Sequence, residues 1–409
     1  MLALARNQKA ANSGPLAAAA VFQVSHTADI RSPMNLAILL GGVFVSVALA
    51  AQLASTLTVF LRFLRRDYCT GSNAPPVSIV RPVCGVENFI EETLRSTFLL
   101  DYRCYEIVFC AAEKNDPVIP VVQKLIAAYP DIEAKLLIGA ATVSSNPKLN
   151  NLIKGWYGSR HEWTIMADSN VLMPRDYIQR MLSAWRDDTG LVCSPPVGSR
   201  PQNLWAELEC AFLNTYQARW QCFADSVGLA FAQGKSMLWR RDLLESAGGI
   251  EALARDIAED AAATKIVHRL GLRVRLVSSP FSQPLGHRTA SEVWDRQLRW
   301  ARLRRKTFPF FFFPELLVGA FPPLIIASIA AAAAGWSVID IAATLMLVCY
   351  GVEACLAYRA GWHFSWRSVG ICILRDALLP VLWLCAWAGN DFEWRGNAMT
   401  IATESARTS

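Results

Sequence analysis

Charged residues are scarce in this sequence. Only 18% of its 409 residues are Asp, Glu, Lys or Arg, whereas 53% are apolar, and the mean hydropathy is +0.26. Such a composition excludes an intrinsically disordered chain and argues against a protein that is soluble throughout. The 23 glycines follow no repeating period, which excludes collagen, and 11 cysteines are too few for a disulfide scaffold in so long a chain.

Several motifs of familiar chemistries are missing. No two cysteines have CxxC or CxxH spacing, and the five histidines form no HExxH, so we expect the cysteines to be reduced or lipid-facing. The sequence contains no GxSxG elbow and no strand-coupled GxGxxG. Residues 234–236 read GKS, but no glycine-rich loop precedes them, so a P-loop lacks support.

The first long apolar run predicts a membrane-spanning helix at 33–64. Residues 33–61 carry no charge, exceed the ~20 residues that cross a bilayer, and are followed by RFLRR at 62–66. A signal peptide is disfavoured, because the run is too long, begins far from Met1 and has its basic residues after it. Basic residues after the span place the downstream chain in the cytoplasm. Residues 1–32 are expected to be disordered.

A second apolar region occupies the last quarter of the chain. RLRRK at 302–306 precedes it, which indicates membrane electrostatics rather than nucleic-acid binding for the net charge of +6. We therefore predict a cytoplasmic domain at 70–300, an interfacial segment at 301–315 that contains PFFFFP, three spans within 316–390, and a tail at 391–409. Three crossings would leave the tail on the far side, whereas a re-entrant segment would reverse that. The three spans are expected at 316–338, 341–358 and 369–387.

Two adjacent charges interrupt the last predicted span. Arg375 and Asp376 lie where charge is expensive, so we expect them to pair with each other in a structural role rather than to serve transport.

The block between the membrane segments alternates short β-branched runs with helical patterns. This alternation predicts an α/β domain with a mostly parallel sheet, whose ligand cleft lies at the carboxyl ends of the strands. The predicted strands are 77–82, 105–111, 134–139, 163–168 and 190–195, and the predicted helices are 88–100, 117–129 and 174–187.

Acidic residues follow several of these strands. Glu113 and Asp116 come after the second strand, Asp168 ends the fourth, and Glu259 and Asp260 open an apparent helix. Each alone is more often a helix cap than a catalytic group. Together in one cleft they would repel one another unless a cation lay between them, and a diphosphate substrate would bring that cation.

The sequence RQLRW lies downstream at 296–300. On a helix, Arg296 and Arg299 share a face, and Trp300 lies one turn from Arg296. Guanidinium groups suit a phosphate and an indole suits a sugar ring or flat base. The alternative is a juxtamembrane helix that binds anionic headgroups.

The ordered set of motifs resembles that of family 2-type inverting glycosyltransferases with a GT-A fold, in which three spaced aspartates precede (Q/R)xxRW. It is more closely similar to ceramide glucosyltransferases, including their bacterial relatives. The similarity covers about 77–300, and the flanking membrane segments also match. The motifs that carry it are RPVCGVEN (81–88), DYRCYEIVFCAAEKNDP (101–117), YPDIEAKLLIG (129–139), NPKLNN (146–151), ADSN (167–170), IAED (257–260) and RQLRW.

The resemblance implies a role for each aspartate. Asp116 would contact the nucleotide, Asp168 would hold a divalent cation, Mg²⁺ or Mn²⁺, on the diphosphate, and Asp260 would be the general base. As a weak base, Asp260 needs its proton affinity raised by burial or by Glu259. Arg296, Arg299 and Trp300 resemble the motif that closes over the diphosphate and the acceptor. Further donor contacts are implied for Arg81, Glu113 and Lys148.

Two departures from the family pattern leave alternatives open. Asn170 stands where a second acid is usual, so it or His287 would complete the cation's ligands beside Asp168. Glu113 occupies a place where the family often has Asp, so either it or Asp116 would carry the donor contact.

The resemblance implies a membrane enzyme that transfers a hexose, with glucose favoured, from a UDP-sugar to the primary hydroxyl of ceramide. Trp294, Trp300 and PFFFFP would form an apolar rim at the interface. A bacterial inner membrane is the expected location. Transfer to hopanoid or diacylglycerol is one alternative. A processive polysaccharide synthase is another, although three C-terminal spans are few for a channel. A membrane scaffold that only binds a nucleotide-sugar is the non-enzymatic alternative.

Overall fold

The computed structural model describes residues 33–64, 74–139, 141–394 and 397–400. The predicted disorder at 1–32, part of the basic cluster at 62–66 and most of the tail lie outside the described residues. Within them, all ten cysteines are free, as expected.

A seven-stranded sheet forms the centre of the domain. The described strands are β1 (Val77–Val83), β2 (Tyr105–Ala111), β3 (Glu133–Ile138), β4 (Trp163–Ala167), β5 (Thr189–Cys193), β6 (Val197–Pro201), β7 (Ser236–Arg240), β8 (Arg273–Leu276), β9 (Ser282–Gly286), β10 (Asp391–Trp394) and β11 (Asn397–Thr400). The sheet order is β3-β2-β1-β4-β7-β5-β8, and only β7 runs antiparallel to its neighbours. The five predicted strands and the mostly parallel sheet are confirmed.

Helices cover both faces of the sheet. Every residue of β1 is buried, and alternate side chains enter different cores: Val80 packs with Trp156, and Ile79 packs with Leu94. The described α-helices are α1 (Pro33–Arg62), α2 (Ile90–Arg95), α3 (Ile119–Ala128), α4 (Pro147–Gly158), α5 (Tyr177–Ser183), α6 (Leu204–Ala211), α7 (Arg219–Ser226), α8 (Arg241–Ser246), α9 (Glu259–Arg269), α10 (Ala290–Thr307), α11 (Pro309–Phe312), α12 (Phe321–Ala333), α13 (Val338–Ala360) and α14 (Ser368–Trp387).

Helix α4 lies unusually close to the sheet. A Cβ on Gly155 would be 2.3 Å from Val80 Cγ1 and 2.7 Å from Cys110 Sγ, so only glycine permits this approach. Asn146 caps the helix by accepting hydrogen bonds from the amides of Lys148 and Leu149. Tight packing and the cap together fix the first turn of α4 at the edge of the sheet.

Two predicted helices are shorter than expected. The segment 88–100 consists of α2 and a 3₁₀ helix at Ser96–Leu99, and the segment 174–187 is helical only in α5. The second ends early because the amide of Arg186 donates to Thr189 Oγ1 at 2.9 Å, which closes the turn into β5.

Three described helices, α1, α13 and α14, are long and apolar enough to cross a membrane. The predicted span at 316–338 is not one helix. Residues Pro309–Leu317 and α12 form a pair bent by 45°, which gives a broken span or a re-entrant loop. Gly319 lies at the break with φ +95°, and prolines follow at once, so a continuous helix cannot form there. Residues 301–307, predicted to be interfacial, continue α10.

Buried charges connect the apolar helices with the domain. Arg375 donates to Asp376 at 2.7 Å, which confirms the predicted pairing, and also to Glu353 of α13 at 3.0 Å. Glu353 accepts from Gln52 of α1 at 2.9 Å, and Gln52 in turn accepts from Arg219 of α7. The network joins three membrane-length helices to the domain.

Candidate active site

The candidate site lies at the carboxyl edge of the sheet. Strands β1, β2 and β4 are parallel neighbours, so their carboxyl ends meet at this edge. Because β7 runs antiparallel to β4 and pairs Ser236 with Ala167, the first residue of β7 lies at the same edge. The first turns of α4 and α9 also contribute side chains here.

Asp168 is held between two lysines. Its Oδ1 is 2.7 Å from Lys148 Nζ, its Oδ2 is 2.9 Å from Lys235 Nζ, and its amide donates to the Lys235 carbonyl. Burial alone would raise the pKa of Asp168, but the two ammonium groups outweigh burial and hold it well below its usual range. Asp168 is therefore ionised near neutral pH.

Lys148 links Asp168 to a second carboxylate. Its Nζ is 2.6 Å from Glu259 Oε1 and donates to the Gly234 carbonyl at 2.6 Å. Burial would lower the pKa of Lys148, yet the carboxylates of Asp168 and Glu259 raise it above its usual value. The lysine is thus a fixed cation at the centre of the site.

Asp260 lies in the first turn of α9. Its Oδ2 accepts from the Gly234 amide at 3.1 Å and its Oδ1 from the Ala261 amide at 2.8 Å. Burial, followed by the charge of Glu259, raises the pKa of Asp260 to about 7, despite the opposing effect of Lys148. A carboxylate with this proton affinity suits a general base near neutral pH.

Gly234 makes this crowding possible. A Cβ at this position would be 2.8 Å from Glu259 Oε1 and 2.9 Å from Lys148 Nζ. A side chain at this position would displace the ends of Glu259 and Lys148, which are held in the ion pairs of the site.

Asp116 joins the loops after β1 and β2. Its two carboxylate oxygens accept from the Gly85 amide at 2.9 and 3.1 Å, and Oδ1 also accepts from the Val118 amide. Glu113 is exposed in the same loop. Both residues lie at the carboxyl edge of the sheet, and the choice of donor contact between them stays a prediction.

Arg81 has a different position from that of the other predicted donor contacts. Its guanidinium is completely buried and donates to the carbonyls of Asp168, Val171 and Thr93 at 2.7, 3.1 and 2.8 Å. Burial lowers the pKa of Arg81 to about 10. This geometry supports the loop that carries Asp168, and it does not favour direct contact between Arg81 and a donor.

The predicted cation ligands form a sparse set. Asn170 Oδ1 accepts from Lys235 Nζ at 3.1 Å, and Asn170 Nδ2 donates to Glu87 at 3.3 Å. His287 is exposed, and its role stays a prediction. The described ranges contain no group of three or more His, Cys, Asp or Glu side chains that could hold a metal ion. One carboxylate and one amide fit a cation that arrives with a diphosphate, because Mg²⁺ commonly combines one or two carboxylates with substrate phosphates.

The RQLRW residues lie on α10 and face α6. Arg296 pairs with the buried carboxylate of Glu209, which Arg288 also approaches at 3.3 Å. The charge of Arg296 contributes, after burial, to a lowered pKa of Lys235. Trp300 packs against Leu285, against Ala206 and Cys210 of α6, and against Leu213 just after α6. Arg299 is half-buried. Thr289 starts α10 with a capping box.

The sequence analysis assigned no role to three polar partners in this region. Lys235 belongs to the GKS segment, which the sequence marked only as an incomplete P-loop. Asn146 donates to Glu259 at 2.7 Å, and Glu209 holds two arginines. Only Asn146 had a recognisable signal, since Asn before Pro predicts a helix cap.

The sequence matches a known protein family over most of its length. The model of glycosyl transferase family 21 matches residues 43–407. Ceramide glucosyltransferase 3 of Caenorhabditis elegans is 26% identical over 338 residues, which cover 81% of this chain and 74% of the relative. Ceramide glucosyltransferase 1 of the same organism is 27% identical over 283 residues, covering 69% of this chain and 60% of that relative.

Among solved structures, the chain is similar to a mannosyltransferase from Pyrobaculum calidifontis in complex with GDP-Man and Mn²⁺. That similarity has 17% sequence identity and a TM-score of 0.47, and covers 85% of this chain and 97% of the other. With the sheet order and the family match, the GT-A fold predicted from the motifs is confirmed.

Proposed function

The chain belongs to glycosyl transferase family 21, and we propose that it is a membrane enzyme that transfers a hexose from a UDP-sugar to the primary hydroxyl of ceramide. The product would be a β-hexosylceramide, with glucose as the favoured sugar. The names of the curated relatives, both ceramide glucosyltransferases, support glucose as the sugar and ceramide as the acceptor.

The contrast between two neighbouring aspartates carries this proposal. Asp168 is kept ionised by two lysines, whereas burial and Glu259 raise the pKa of Asp260 to about 7. Environments that shift the pKa values of two carboxyl groups in opposite directions indicate that one group has an electrostatic role and the other an acid–base role.

Asp260 provides the proton acceptor for the reaction. As the acceptor hydroxyl oxygen attacks the anomeric carbon from the face opposite UDP, its proton passes to Asp260. The bond between the anomeric carbon and the UDP oxygen breaks, and its electron pair leaves with UDP. One such displacement inverts the configuration at the anomeric carbon.

Asp168 and Asn170 are the residues that would hold a divalent cation, Mg²⁺ or Mn²⁺. When bound, the cation neutralises charge on the diphosphate. The position of Asp168 at the end of β4, fixed by the buried guanidinium of Arg81, supports this assignment.

The surroundings of α10 support an acceptor that stays in the bilayer. Phe310, Phe311 and Phe313 are 83%, 59% and 66% exposed directly after α10, and three membrane-length helices accompany the domain. Exposed aromatic side chains of this kind favour the membrane interface. We propose that the domain is cytoplasmic, because basic residues flank the apolar helices. The bacterial inner membrane stays the location that the resemblance to bacterial relatives implies.

The proposal is tested by incubating membranes that contain the protein with ceramide, Mg²⁺ and Mn²⁺, and labelled UDP-glucose or UDP-galactose. Mass analysis of the lipid should reveal one added hexose. Asp260→Asn should lower turnover by ~100-fold or more while UDP binding persists. Asp256→Asn, a change of the same kind in the preceding loop, is the matched control and should retain activity.

Other outcomes separate the alternatives. A ladder of products would indicate a polymerase. Full activity of Asp260→Asn would reject its role as base, and no product from either sugar would reject the proposed donor and acceptor pair.

A further inference from the structure

Lys235 has an environment that its local sequence does not explain. The side chain is 17% exposed, and its ammonium contacts Asp168 Oδ2 at 2.9 Å and Asn170 Oδ1 at 3.1 Å. Burying an ammonium group costs free energy unless it gains strong partners. Both of these partners come from the loop after β4, where the proposed function puts the donor diphosphate.

Lys148 already balances the negative charge of Asp168 and Glu259. Its ammonium has three N–H donors, and three oxygens lie within 2.7 Å of it, from Asp168, Glu259 and Gly234. It therefore ties three chain segments together and is committed to that role. Lys235 shares Asp168 with it and has longer contacts, so its ammonium can be redirected at lower cost.

Basic side chains line the side of the site that faces α10. Arg296 and Arg288 share the buried carboxylate of Glu209, and Arg288 also lies 4.0 Å from the half-exposed carboxylate of Glu292. An anion with more than one charge would be stabilised between Lys235 and the arginines, and a diphosphate has the required charge and size.

We propose that Lys235 binds the diphosphate of the donor, exchanging Asp168 for a phosphate oxygen when the donor enters. This inference rests on the proposed function and adds a residue to its donor site. The ammonium keeps its three protons throughout. As the bond to the anomeric carbon breaks, the electron pair moves to the β-phosphate oxygen, and Lys235 stabilises the negative charge that develops there.

The test compares UDP with uridine as probes of the full-length protein in detergent. In the wild type, the diphosphate should add affinity beyond that of uridine. Lys235→Gln should reduce the affinity for UDP about tenfold or more, leave that for uridine unchanged, and lower kcat. Lys265→Gln is the matched control. Lys265 lies on α9 and pairs with Asp256 in the preceding loop, so this variant should behave as the wild type does.

A second measurement needs no variant. Acylation of the Lys235 amine in the wild type is followed by peptide mass spectrometry. The rate should fall when UDP is present and change little when uridine is present. Equal protection by both probes, or UDP affinity and kcat unaffected by Lys235→Gln, would overturn the inference while the proposed function stands. A wild type that neither binds UDP nor transfers a hexose would instead reject the proposed function.

Discussion

Asp168 and Asp260 differ in their neighbours rather than in their chemistry. Two ammonium groups contact Asp168, whereas Asp260 accepts from two backbone amides and lies beside the negative charge of Glu259. The local field thus keeps one aspartate ionised and makes the other able to exchange a proton near neutral pH.

The rate of transfer should depend on pH through Asp260. The carboxylate form accepts the proton, and the pKa of Asp260 is raised to about 7, so the rate should fall about tenfold per pH unit below that value and level off above it. Initial rates of hexosyl-lipid formation across this range measure the effect. Glu259→Gln removes the neighbouring charge and should move the acidic limb to lower pH. An acidic limb near the ordinary Asp pKa of about 4 in the wild type would contradict the assignment.

Gly234→Ala should disturb the site without altering any charged group. The new Cβ would press on Glu259 and Lys148, and overpacking of this kind costs about 1–3 kcal/mol. We expect a lower melting temperature and a loss of transfer. Gly351→Ala is the control, because nothing lies within 4 Å of the Cβ it adds. Equal activity of the two variants would show that the packing around Gly234 tolerates a methyl group, which would contradict the prediction.

At the scale of elements, the pairing of α6 with α10 positions the RQLRW residues. Glu209 is 1% exposed on α6 and holds Arg296 and Arg288, while Trp300 packs against the apolar side of the same helix. The orientation of Arg296 therefore depends on a residue outside the motif.

Glu209→Gln should reduce transfer by releasing both arginines. Removing one member of a buried ion pair costs about 3–5 kcal/mol, so the variant should also unfold at a lower temperature. Glu207→Gln on the same helix is the matched control, because Arg367 is 3.9 Å away and half-exposed, and the glutamine oxygen can still accept from Ser365 Oγ. Donor affinity, kcat and melting temperature together measure the result. Similar losses in both variants would mean that Glu209 has no special connection with α10.

Elements with strong local signals could be predicted from the sequence. Runs such as those of β1 and β2 are buried on both faces, so an uninterrupted apolar pattern marks them. The pairing of β7 with β4 is a contact between distant residues, and no local pattern indicates its antiparallel direction. Lys235 directly precedes β7, so its position in the site could not be predicted. Asp168 and Asp260 could be singled out because they lie in recognisable motifs. The π-helix at Phe212–Ala218 also follows no period that the sequence reveals.

At the scale of the whole molecule, one carboxylate connects distant parts of the chain. Glu353 of α13 contacts Gln52 of α1 and Arg375 of α14, and lies 3.6 Å from Arg219 of α7. Each of these side chains is buried, so their charges and hydrogen bonds depend on one another.

Glu353→Gln should destabilise the assembly of helices. Two buried arginines would lose a carboxylate, at a cost of about 3–5 kcal/mol. Thermal unfolding in detergent measures the change. Glu91→Gln is the control, because its pair with Lys124 is exposed and should contribute about 0–1 kcal/mol. An unchanged melting temperature in Glu353→Gln would mean that the network adds no net stability.

The end of α1 is fastened to the domain. Arg62 pairs with Asp225 at 2.6 Å and donates to the Leu276 and Val277 carbonyls, while Arg359 at the end of α13 donates to the Phe63 carbonyl. In the proposed membrane arrangement, a domain mounted in this way would keep one height above the lipid surface. The enzyme would then select acceptors by how far their hydroxyl projects from the leaflet. In the product, the added sugar would hold the free hydroxyls farther from the leaflet than Asp260. They would then be out of reach of the base, so the reaction would stop after a single addition.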